Sequence, residues 1–187
     1  HPTFSQYESE NFAYPMGESA WLWGELGDKI AAKTGAPVLL FNVGWAAANS
    51  EDYRTNIEGK DAFNFFVGKY WPYRQPYSNV LNTLRYFPSW LGARSLLWAH
   101  GETDAEYTDH TQRQYVNNIT LLIKESRLQS GQNLHWTIAV GGASLGSATP
   151  KHPITHAQVE LGTTKGLNTS LGPITDTIQV PRYNGHF

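Results

Sequence analysis

Apolar residues recur at every fourth position from Leu22 through Leu26 to Ile30. That stripe predicts a helix over about 20–34, with Ser19 able to cap its start and Gly35-Ala36-Pro37 ending it. Residues 1–18 show no sustained period, carry Pro2, Pro15 and Gly17, and read as an irregular lead-in. The run Val38-Leu39-Leu40-Phe41-Asn42-Val43 is continuous, of strand length, and stops at Gly44. Such runs suit parallel strands covered on both faces. Val80, Leu84 and Phe87 predict a second helix after Pro76, ended by Pro88 and Gly92, and a second strand covers Arg94 to Ala99. Tyr115, Ile119, Leu122 and Ile123 mark a third helix near 109–129. A third strand over 134–140 enters a glycine-rich loop, and a further helix covers 153–165. Between them, Trp45 to Gln75 reads as one long aromatic connection with Gly59, Gly68 and Pro72, a kind of loop that tends to carry function.

Strands separated by helices point to βαβ units and an α/β fold, a central parallel sheet with helices on both faces. Ligands bind such sheets at the carboxyl ends of the strands, here Gly44, His100-Gly101-Glu102 and Gly141-Gly142.

Composition narrows the picture. A length of 187 residues suits one domain, 1–187, with a sizeable core. The formal charge of −2 comes with scattered Lys and Arg and no basic stripe, which argues against a nucleic-acid partner. Cysteine is absent, excluding disulfides and thiolate chemistry. No apolar run approaches the roughly 20 residues of a membrane span. No signal peptide precedes His1, leaving a mature, trimmed or intracellular chain. Seven Trp and ten Tyr supply flat faces on which sugar rings stack, those of residues 45–77 foremost, although loop aromatics also anchor a loop to its own domain.

The strand Leu96-Leu97-Trp98-Ala99 with His100-Gly101-Glu102-Thr103-Asp104-Ala105 resembles the Trp-x-Gln-Gly-Glu-Ser-Asp block of sialate O-acetylesterases and acetylxylan esterases in the SGNH-hydrolase superfamily. Asn79 to Tyr86 and Gly92-Ala93-Arg94 are similar to the approach to that block, Pro37 to Trp45 to the family's second block, and Gly172 to Phe187 to its closing segment. The resemblance implies a three-layer α/β/α, flavodoxin-like domain and a serine hydrolase that removes acetyl esters from carbohydrate or another small ester, needs no cofactor or metal, and works in a secreted or periplasmic setting. It also implies a fragment of a longer chain, lacking a C-terminal helix and, on one reading of Ser19, the first strand. His186 matches the family's base. Gly44, Asn49, His100, Gly101 and Glu102 match the oxyanion and substrate pocket. The chemistry needs these types: a serine hydroxyl attacks only when an imidazole takes its proton, and the oxyanion needs donors fixed in advance.

This chain departs from the family at several of those positions. Gly17-Glu18-Ser19 has the Gly-x-Ser form of the nucleophile, but no buried strand precedes it, so Ser19 is either nucleophile or helix cap, the serine then lying upstream of His1. Ala46-Ala47-Ala48-Asn49 replaces a Gly-Gly-Thr-like turn, His100 replaces Gln, and Tyr183 and Asn184 stand where a carboxylate would orient His186. The alternative reading is therefore a degenerate relative that binds glycan or a protein partner without turnover. Other features have plain explanations. His152 and His156 have metal-ligand spacing but flank Pro153 and lack a third ligand. The Gly141 to Gly146 segment lacks the dinucleotide-binding order. Asn118-Ile119-Thr120 and Asn168-Thr169-Ser170 are glycosylation sequons by pattern.

Overall fold

The computed structural model describes residues 22–66, 68–142 and 153–177, and the chain divides into two compact units, 1–46 and 47–187.

In the first unit, the expected helix is α1, Trp23–Thr34, closed by Gly35, whose φ of 69° lets its N–H reach Ala31 O. Leu22 occupies the N-cap position with no side-chain cap, and Ser19 lies outside the described residues. The run 38–43 forms no strand. An apolar run becomes a strand only where a neighbouring backbone accepts its ladder, and no strand pairs with it among the described residues.

The second unit opens with α2, Ser50–Ile57, inside what the sequence presents as loop. Asn49 caps it: its Oδ1 accepts from the Glu51 and Asp52 amides at 2.9 and 3.1 Å, and its own N–H donates to Asp52 Oδ2 at 2.8 Å. Asn at N-cap with an acid three residues on is a reciprocal capping box, and it starts a helix whose apolar content is too low for periodicity to reveal. A short antiparallel ladder follows, β1 Phe63–Asn64 with β2 Lys69–Tyr70. Next come α3, Tyr77–Tyr86, and a single turn α4, Pro88–Leu91. Asn56 couples α2 to α3 by accepting from the Tyr77 amide at 3.2 Å.

The sheet is parallel, with β3 Ser95–Trp98, β4 His135–Val140 and β5 Thr169–Ile174 in the spatial order β3-β4-β5. Ser95 pairs with His135 and Trp98 with Ile138 along the first ladder, Trp136 with Thr169 and Ile138 with Leu171 along the second. Between β3 and β4 run α5, Glu102–Tyr107, and α6, Gln112–Ser130. Between β4 and β5 lies α7, Pro153–Thr163. Two βαβ units thus build a mixed α/β fold.

Helix α6 starts on a Thr111–Gln114 capping box and ends on Gly131 at φ 71°. Its buried stripe of Tyr115, Ile119, Leu122 and Ile123 belongs to the face of a helix that packs against α7, and Trp136 and Ile138 of β4 and Ile154, Ala157 and Leu161 of α7 are buried in the same unit. Burying each aliphatic side chain there contributes roughly 1.5–3 kcal/mol. Gly162 permits close contact of α7 with β5, since a Cβ would meet Leu171 Cδ2 at 2.7 Å and Cα at 3.1 Å. The strands are not covered equally on both faces. Trp136, Ile138 and Val140 are buried while His135, Thr137 and Ala139 are half-buried, and Leu97 is exposed. Among the described residues, no helix is long and apolar enough to cross a membrane.

Candidate functional site

Strands β3 and β4 end at His100-Gly101 and Gly141-Gly142, and the Gln158 side chain of α7 joins those ends. Its Nε2 donates to His100 O and Gly141 O, both at 2.7 Å, and its Oε1 accepts from the Gly141 amide at 2.9 Å. Gln158 is completely buried, so this is the pairing its amide requires. The rim is tight enough to demand glycine. Gly101 has φ 140°, and a Cβ there would sit 2.6 Å from Gln158 Nε2 and 2.9 Å from Ile154 Cγ2. At Gly141 a Cβ would collide with Thr175 Oγ1, and the Gly142 amide donates to Asp176 Oδ2 at 3.0 Å.

His100 stacks on Trp98, centroids 4.9 Å apart, and meets the Tyr53 ring edge-on at 5.6 Å. The Tyr115 hydroxyl donates its single proton to His100 O at 2.8 Å. Its 3.2 Å contact with Nδ1 therefore needs the proton on the ring nitrogen. In the neutral ring, Nε2 is then the bare nitrogen, and it is buried without a hydrogen-bond partner. Buried in this way, His100 Nε2 presents neither a donor nor an acceptor at the surface of the rim.

The acid that turns inward is Asp104, completely buried. Its Oδ1 accepts from Ser50 Oγ at 2.5 Å and from His110 Nδ1 at 2.8 Å, and its Oδ2 from the Ser50 amide at 2.9 Å. Asn118 of α6 completes the network, donating to Ser50 Oγ at 3.2 Å and Glu51 Oε2 at 3.0 Å. The Asp104 hydrogen bond raises the His110 imidazole above its ordinary value, against the lowering effect of burial. Burial pushes the Asp52 carboxyl up to about 6, against the Asn49 amide that donates to it, with the nearby Asp104 charge adding to the rise.

Asn49, Asp52 and His110 line a cleft of about 820 Å³, with Phe63 and Tyr70 on its wall. No group of His, Cys, Asp or Glu fit to hold a metal ion occurs among the described residues.

Of the residues singled out in the sequence, the structure brings His100 and Gly101 together at the rim. Asn49 caps α2, its N–H and Oδ1 both engaged. Glu102 is exposed in the first turn of α5, two residues before the buried acid. Gly44 lies in the first unit, its amide held by Asn42 Oδ1 at 2.9 Å. In the replaced glycine turn, Ala47 adopts φ 62°, a conformation glycine favours. Ser19, His186, Tyr183, Asn184 and His152 fall outside the described residues. Asn118, a sequon by pattern, is 2% exposed and bonded inward.

Sequence reasoning missed the Ser50–Asp104–His110 network, the Asp52 half of the Asn49 cap and the Gln158 clamp. The Asn49-Ser50-Glu51-Asp52 cap was the readable signal for Ser50 and Asp52. No protein-family model, curated protein or solved structure matches this chain.

Proposed function

We propose that the chain is an SGNH-type serine hydrolase of the carbohydrate O-acetylesterase kind, with a three-layer α/β/α fold and substrate taken at the carboxyl ends of β3 and β4. One observation carries this reading: Gln158 clamps His100 to Gly141 at a rim with no space for a Cβ at Gly101 or Gly141. Adjoining carboxyl ends of parallel strands are where α/β proteins place their ligands, and here the Gly141 and Gly142 amides are held by Gln158 and Asp176. The order β3-β4-β5, consecutive in sequence and in space, fits one side of a flavodoxin-like sheet. In the proposed mechanism His186 takes the proton of the attacking serine, Ser19 being the candidate in this sequence, and donors other than the engaged Gly141 and Gly142 amides hold the oxyanion.

Hydrolysis of acetylated xylan and p-nitrophenyl acetate tests it. Wild type is expected to release acetate, and His186→Ala to lose about 10³-fold or more. Activity indifferent to His186 refutes the mechanism. Loss in Ser19→Ala identifies the nucleophile.

A second reading, binding without turnover, is favoured by the Asn49 geometry. Its N–H and Oδ1 are spent on the α2 cap, which removes backbone donation from an oxyanion position. Saturable glycan binding with no acetate release separates the two.

A further inference from the structure

We propose that the cleft formed by Asn49, Asp52, His110, Phe63 and Tyr70 binds the ring of a neutral saccharide. None of its lining residues belongs to the strand-end rim, but Asn49 is also among the pocket positions that the family resemblance implies, so the cleft rests on and deepens the glycan-binding reading above while needing no catalytic step.

The volume of about 820 Å³ lies within the range of small-ligand sites. Its wall is aromatic. Phe63 and Tyr70 are cross-strand partners in the β1–β2 ladder, ring centroids 5.1 Å apart and planes at 66°. They leave 48% and 64% of their surface in water. Exposed aromatic surface at a concave site gains by covering, and the C–H face of a pyranose is a flat partner for it.

The remaining lining is polar and rich in acceptors. Asp52 is held in one orientation by the α2 cap, because its Oδ2 accepts the Asn49 N–H. His110 is held likewise: Asp104 fixes Nδ1 at 2.8 Å and leaves Nε2 as the ring's remaining hydrogen-bonding atom. Two pre-oriented polar side chains beside an aromatic wall match the alternating hydroxyls and C–H patches of a sugar ring.

Charge selects among polyhydroxylated ligands. Glu51, Asp52 and Asp61 line the cleft against Lys60 and His110, so phosphates, sulfates and uronates are repelled. The polar lining is wrong for an acyl chain. A neutral sugar satisfies both constraints.

Isothermal titration of the intact chain at pH 7 with xylohexaose, cellohexaose and chitohexaose tests this. At least one is expected to bind saturably. Tyr70→Ala should weaken that binding about tenfold, consistent with loss of one stacking contact. Thr55→Trp, which adds bulk at a lining position, should abolish it, with circular dichroism verifying that both variants fold. Failure of all three sugars to bind overturns the proposal, as does binding unchanged in both variants or tighter binding of hexagalacturonate. Ester hydrolysis without hexaose binding refutes the cleft and spares the esterase reading. Hexaose binding without hydrolysis does the reverse.

Discussion

His110 Nδ1 donates to Asp104 Oδ1 at 2.8 Å, and that oxygen is the one that also receives the Ser50 hydroxyl. A histidine in the loop before α6 and a serine opening α2 thus share one buried acceptor atom, which ties three segments of the second unit together.

Because the imidazole is raised above its unfolded value by Asp104, its contribution to stability is complete below the unfolded pKa of about 6.5. It fades as pH rises through the higher folded value. Urea midpoints of wild type and His110→Gln should therefore differ more at pH 5.5 than at pH 9. A difference constant with pH would show that the imidazole gains nothing from Asp104.

Asp52 titrates in the unusual direction for a carboxylate, its folded pKa raised to about 6 by burial. The folded state then holds the proton more tightly than the unfolded chain, and stability falls as pH rises from about 4 to about 6. Asp52→Asn keeps an oxygen to accept the Asn49 N–H and removes the buried charge. It should be more stable than wild type at pH 7, by on the order of 2 kcal/mol, with the gain vanishing toward pH 4. Denaturant titrations at both pH values measure this.

Replacing Gln158 by Leu preserves volume and strands Gly141 N and Gly141 O without a partner, while His100 O keeps the Tyr115 hydroxyl. The cost should be about 3 kcal/mol in unfolding free energy, since buried groups deprived of partners lose their full desolvation energy. Should the proposed esterase reading hold, acetate release falls along with stability. A loss under about 0.5 kcal/mol would mean that water replaces the amide at the rim.

Asn118 carries a sequon but is 2% exposed and donates to Ser50 and Glu51. Peptide mapping after expression in a glycosylating host should find it unmodified in folded protein. Occupancy there would contradict the buried network, because a glycan cannot enter that site without breaking it.

Helices α6 and α7 and strands β3 and β4 were legible because their signals are local. A four-residue stripe and an apolar run each act over a few neighbours, and the Thr111–Gln114 cap and Gly131 stop that the structure adds to α6 are equally local. The run 38–43 carried an equally clear signal and forms no strand, since pairing depends on a second backbone that no local pattern specifies. Helix α2 shows the reverse. Its buried faces are Ser50, Asp52, Tyr53 and Asn56, mostly polar, and polar residues become interior only when distant partners satisfy them.

By itself the sequence determined an α/β alternation and the glycines at the ends of β3 and β4. Tertiary structure decided which acid matters: Glu102 stays exposed while Asp104 turns inward to Ser50, 54 residues away along the chain. It also decided that Phe63, Tyr70, Asp52 and His110 share one cleft. Secondary structure is written in near neighbours, whereas burial of a charge and the lining of a cavity depend on where separate segments meet.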